Sequence, residues 1–181
     1  MGSAVRPRVP AADIDLVVIC KDPDVLREVP PLEVDLRAYS TADIEARLQS
    51  GHDLLGWAVR FGRALFQREL FWDRLRDSWR LRLPLPSSKV ARARAASAYR
   101  HLTDVFQLGD TDAAHEQALS YLAHLARAEL LDRGVYPASR PELAEQLRGI
   151  GNYRLAEWLD RLMGDESNEL SQIQKLLELA V

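Results

Sequence analysis

Asp13-Ile14-Asp15-Leu16-Val17-Val18-Ile19-Cys20 is the stretch whose reading decides the fold. Residues 16–20 form an unbroken apolar run containing Val17, Val18 and Ile19, and Lys21-Asp22-Pro23 closes it with a turn signal. A short apolar run bounded in this way reads as a strand covered on both faces. A second extended segment occupies residues 32–39, where Leu32, Val34, Leu36 and Ala38 alternate with Glu33, Asp35, Arg37 and Tyr39. Two strands joined by a short charged connection are expected to lie side by side, as an antiparallel pair or within a mixed sheet.

Beyond Tyr39 the texture turns helical. Ser40-Thr41-Ala42-Asp43 offers an N-cap and an acidic first turn for a helix running to Leu48, and Gly51 closes it. Another helix is expected from about Asp53. Ala64-Leu65-Phe66 reads as a short third strand, and residues 71–81 read as a helix with Trp72, Leu75 and Trp79 on one face. Leu83-Pro84-Leu85-Pro86-Ser87-Ser88 breaks the chain, because alternating prolines forbid helix and serines favour caps. Helices are then expected over residues 89–108, 112–132, 153–163 and 168–179. Between them, Ser139-Arg140-Pro141-Glu142 forms a capping box that opens a helix to Arg148. The fold class is therefore α+β, a small mixed sheet with helices over residues 1–82 followed by an all-helical bundle over residues 83–181.

The 181 residues are 47% hydrophobic and 28% charged, enough to bury a core without disulfides or structural metals. A net charge of -3 gives no generic electrostatic grip on nucleic acid. The single cysteine, Cys20, allows no internal disulfide, and no apolar stretch before Asp13 reads as a signal peptide. No apolar run approaches the length of a membrane span. The expectation is a cytoplasmic protein without a membrane partner.

Asp13 and Asp15 are two apart on a strand, so their side chains leave on the same face. Two carboxylates so close repel, and a hard divalent cation such as magnesium relieves the repulsion. Asp35 joins them if its strand lies alongside. Three carboxylates on neighbouring strands can hold one or two metal ions, the arrangement that stabilises the attacking and leaving oxygens of a phosphoryl displacement.

The surrounding residues add a resemblance. Gly2-Ser3-Ala4-Val5-Arg6, then Ala12-Asp13-Ile14-Asp15 in an apolar strand, then Val34-Asp35-Leu36 on a later one, resembles the signature of the DNA polymerase beta-like nucleotidyltransferase superfamily. Trp57 to Phe66 resembles the family's helix-turn-strand end around Gly62. The likeness extends over roughly residues 2–75. It implies a metal-dependent transfer of a nucleoside monophosphate from a nucleoside triphosphate, with ATP the expected donor, to a hydroxyl on a small molecule, a protein or an RNA. Asp13, Asp15 and Asp35 would be the catalytic and metal-binding residues for one or two magnesium ions. Gly2, Ser3 and Arg6 would hold the phosphates. The family places a helix and a strand before the Gly-Ser pair, so the domain is expected to be short at its N-terminal side.

The helical half, above all residues 126–143, resembles the domains that follow such enzymes: the helical domain of kanamycin-type aminoglycoside nucleotidyltransferases, and the HEPN family beside minimal nucleotidyltransferases. That resemblance implies binding of the acceptor, of a partner protein or of a second copy of the chain. Two other readings are weighed. One is a non-catalytic interaction protein, such as an antitoxin partner. The other is a HEPN-like ribonuclease acting through Arg94 and His101, which an i, i+7 spacing places on one helical face. His115 and His124 are nine apart, a poor spacing for two metal ligands on one helix. Trp57, Trp72, Trp79 and Trp158 are expected as core anchors.

Overall fold

The structure is a computed structural model that describes residues 14–25, 34–164 and 173–175. It is α+β. Two compact units divide the chain, Met1–Pro86 and Ser87–Val181.

In the first unit β1 (Ile14–Cys20) pairs with β2 (Val34–Ser40) in parallel, in a continuous register from Ile14↔Val34 to Cys20↔Ser40. The antiparallel alternative is thereby corrected. Residues 21–33, which include a 3-10 turn at Pro23–Val25, supply the dozen or so residues that a parallel return needs, where an antiparallel hairpin needs only a tight turn. Alternation puts Asp15, Val17 and Ile19 on one face together with Asp35, Arg37 and Tyr39. Of these, Val17, Ile19 and Tyr39 pack against a helical core.

That core comes from three short helices, α1 (Ile44–Gln49), α2 (Asp53–Phe61) and α3 (Phe71–Trp79). They bury Ile44, Leu48, Leu55, Ala58, Val59, Trp72, Leu75 and Trp79 in one cluster. Gly51 ends α1 at a φ of 74°, in the left-handed region that favours glycine, and a Cβ there would stand 3.4 Å from the Leu85 carbonyl oxygen. Before α3 the left-handed backbone falls instead on Glu69 and Leu70. The side chain of Gln67 caps the helix in place of the usual short polar residue. Its Oε1 accepts from the N–H groups of Trp72 (3.1 Å) and Asp73 (3.2 Å), while its Nε2 donates to Asp73 Oδ2 at 2.6 Å. The third strand expected at Ala64-Leu65-Phe66 does not form. Leu65 and Phe66 are 76% and 80% exposed, so the segment has no sheet edge or core to hold it extended.

The second unit is helical. Ser87 caps α4 (Ser88–Gln107), and Asp110 caps α5 (Thr111–Asp132) after a turn through Gly109. The helices run antiparallel, because Arg92 near the start of α4 pairs with Glu129 (3.3 Å) and with Asp132 at the end of α5. Ala91, Ala95, Ala98 and Leu102 form the buried stripe of α4, and small side chains there let α5 approach closely. The expected capping box is present at Ser139 and Glu142, leading through a 3-10 turn, Arg140–Glu142, into α6 (Leu143–Gly149). Helix α7 (Tyr153–Gly164) completes a core in which Leu122, Leu130, Leu143, Leu147, Leu159 and Ile173 are fully buried. Of the helix expected over residues 168–179 only 173–175 are described, and these are helical. Gln146 ties down the connection into α6, accepting from the Ala138 N–H (2.8 Å) and donating to the Tyr136 carbonyl (3.0 Å). No described helix is long and apolar enough to cross a membrane.

Candidate metal and nucleotide site

Asp15 and Asp35 are register partners across β1 and β2. Paired strands lie about 4.8 Å apart, and residues directly opposite leave the sheet on the same face. Two carboxylates twenty positions apart in sequence are thus neighbours by topology alone. Further along the same face Val17, Ile19 and Tyr39 are covered by α1–α3, whereas Asp35 and Arg37 remain exposed. The acidic pair therefore stands where the helical cover stops.

Arg37 is the residue that sequence reading passed over. Two positions beyond Asp35, it turns back to donate from Nε (3.3 Å) and Nη2 (2.9 Å) to Asp35 Oδ2. Both contacts fall on one oxygen, which leaves Oδ1 to other partners. The signal was present in the alternation of residues 34–39, since a cation two residues from an anion on a strand shares its face. The line of charge continues past Arg37. Burial is the chief cause that pushes the Tyr39 phenol above its usual pKa, with Arg47 and Arg37 pulling it down and Asp35 adding a smaller upward push. The Arg47 guanidinium lies 5.5 Å from the Tyr39 ring centroid, and the His52 ring meets Tyr39 edge-on at 5.4 Å.

Asp13, Gly2, Ser3 and Arg6 lie outside the described residues, so the expected three-carboxylate cluster is represented here by Asp15 and Asp35. Among the described residues no group of three or more His, Cys, Asp or Glu side chains is placed to hold a metal ion. The donor chemistry of Asp15 and Asp35 nevertheless fits a hard divalent cation: carboxylate oxygens on adjacent strands, with Asp35 exposed and its Oδ1 outside the Arg37 contact.

The other candidate residues take ordinary places. Arg94 and His101 are both exposed and share one side of α4, flanking its alanine stripe. His115 Nε2 is 2.8 Å from the Leu162 carbonyl oxygen and joins α5 to α7, a packing role. Trp72 and Trp79 are core residues, as expected, and Trp57 and Trp158 pack against the two cores from the side. Arg82 stacks over Trp79, its guanidinium carbon 4.4 Å from the ring centroid.

No protein-family model matches the chain, and no curated protein matches it. Among solved structures it is similar to a nucleotidyltransferase-like protein from Exiguobacterium sibiricum, at 22% identity and a TM-score of 0.46. The likeness covers 91% of this chain and 61% of that protein, so the chain spans about three fifths of its length.

Proposed function

We propose that this chain binds a nucleoside triphosphate with a divalent cation at Asp15 and Asp35, and transfers the nucleoside monophosphate to a hydroxyl acceptor, with pyrophosphate as the leaving group. The observation that carries the reading is the parallel register, which makes neighbours of two aspartates that stand far apart in sequence. Its second support is the motif in which they sit. Asp13, two positions before Asp15 in the sequence, is the third ligand in this reading, and Gly2, Ser3 and Arg6 hold the phosphates. Asp35 binds a second ion or accepts the proton of the attacking hydroxyl. Magnesium, when bound, offsets charge that develops on the phosphoryl oxygens. ATP is the donor tested first.

The experiment is a thermal-denaturation series with magnesium and each nucleoside triphosphate, on the native chain and on Asp15→Asn and Asp35→Asn. Ligand at about a hundredfold its Kd stabilises by about 2.7 kcal/mol, an easily read rise in midpoint. The expected result is a rise that needs both metal and nucleotide and is absent from both variants. A native chain whose midpoint ignores every nucleotide would refute the reading and favour the interaction-protein alternative.

A further inference from the structure

We infer that Arg37 makes the aspartate pair select a divalent cation carrying a polyphosphate over the bare ion. The inference rests on the nucleotide-site reading above and assigns a role to a residue outside the motif. Asp15, Asp35 and Arg37 put two negative charges and one positive charge on a single patch of sheet face. A bare cation arriving at Asp35 meets two obstacles. It must compete with a guanidinium whose Nε and Nη2 both hold Oδ2, and it must then sit close to the positive charge it has displaced. A cation that brings a polyphosphate carries its own remedy. The released guanidinium is a planar fork of donors, and phosphate oxygens accept two parallel bonds from it. What opposes the bare ion becomes a contact for the complex.

Neighbouring charges set the direction in which Arg37 can turn. On one side stands Tyr39, half-buried against α1–α3 and already overlain by the Arg47 guanidinium, so a swing that way brings two cations together. On the other side is Asp35, 45% exposed, and the Arg37 side chain itself is 58% exposed. A polyphosphate on metal at the aspartates would lie on that side. The exposure also sets the size of the barrier. Solvent-exposed ion pairs contribute about 0.2–1 kcal/mol, so displacing this one lowers bare-ion affinity only about 1.4- to 5-fold, a bias and not a block.

The test measures two ligands on the full chain, on Arg37→Gln and on Arg37→Lys. Bare Mn²⁺ is followed by the spectrum of the free ion, and magnesium tripolyphosphate, which has no base to confuse the result, by calorimetry. Arg37→Gln is expected to bind Mn²⁺ about 3-fold tighter. It is expected to bind magnesium tripolyphosphate about 10-fold more weakly, the loss of a charge-assisted contact. Arg37→Lys, which keeps the charge without the fork, falls between on both measures. Opposite signs for the two ligands support the role, and equal signs or no change overturn it. A merely structural arginine would shift both affinities the same way. Should Arg37→Gln fail to fold, the lysine variant decides on the same signs. If the native chain binds no magnesium tripolyphosphate, the nucleotide-site reading itself falls. If it binds, Asp15→Asn abolishes the binding and Arg37→Gln changes neither affinity, only the inference about Arg37 falls.

Discussion

Replacing Asp35 by asparagine should not destabilise the ligand-free chain, although it should abolish metal-dependent nucleotide binding. Asp35 faces Asp15 across a strand pair. Two unit charges about 5 Å apart repel by about 0.8 kcal/mol in bulk water and about 3 kcal/mol at the effective dielectric near a protein surface. The lower figure applies more closely, because the Asp35 side chain is 45% exposed and Asp15 has an interaction of its own. Against this stands the Arg37 pair, about 0.2–1 kcal/mol for two exposed groups, part of which asparagine keeps through its carbonyl oxygen. With the lower figure the balance runs from about zero to about 0.6 kcal/mol of stabilisation at low salt. It should shrink toward zero in 1 M salt, where the screening length falls to about 3 Å. The assay is denaturant unfolding followed by tryptophan fluorescence, since Trp57, Trp72 and Trp79 lie in the first unit and Trp158 in the second. A loss of more than about 1 kcal/mol for Asp35→Asn at low salt would show that the carboxylate is part of the scaffold, and the argument from repulsion would be refuted.

Two further predictions concern the helical unit. Gln146→Ala strands the Ala138 N–H and the Tyr136 carbonyl, both in buried residues, and should lower stability by about 2–4 kcal/mol, with amide exchange at Ala138 accelerated. Gln146→Glu, which keeps the acceptor and loses the donor, should fall between; equal stability of all three would mean that water replaces the side chain. The Asp132 carboxyl is held below its ordinary value of 3.8 by hydrogen bonds from Ser88 first and from Arg92 second. A carboxyl with a lowered folded-state pKa adds stability that is complete above the unfolded value and disappears as pH falls through the folded one. Asp132→Asn and Ser88→Ala should therefore melt below the native chain at pH 7 and converge with it well below pH 3.8; a pH-independent gap would refute the assignment.

The sequence carried most of the helical unit, because its boundaries are written in local chemistry. Ser87, Asp110 and the Ser139–Glu142 box each meet a backbone N–H, and Gly109 and Gly134 take the left-handed turns that end helices. Strand positions were legible for the same reason, through the apolar run before Cys20 and the alternation through Tyr39. Pairing direction was not, since the route of residues 21–33 decides it and local composition does not. Ala64-Leu65-Phe66 misled because an apolar triplet looks like a strand whether or not an edge exists to receive it. At the site, Asp15 and Asp35 could be singled out as residue types in a pattern, but their adjacency depends on register. Arg37 could be read only as the polar phase of an alternating strand until its guanidinium was seen on Asp35.

That guanidinium answers a difficulty built into any pair of neighbouring carboxylates. The strands must pair before a ligand is present, with two like charges set side by side. A buried, fully hydrogen-bonded countercharge would settle the fold, but removing a partner from such a pair costs about 3–5 kcal/mol, and a metal would have to overcome that before gaining anything. An exposed arginine on the same strand offers a weaker solution. It offsets the repulsion while the site is empty of ligand, and the bond it must give up is worth at most about 1 kcal/mol. Place Arg37 on the opposite face, by a one-residue slip of β2, and both services vanish together: Asp35 would leave Asp15, and the sheet face would lose its only described charges beyond Asp15. Register, countercharge and ligand access are thus one property of this strand pair. A disulfide or metal-bridge cross-link that traps the native register should preserve both arms of the Arg37 test, whereas charge alone, moved elsewhere on the unit, should preserve neither.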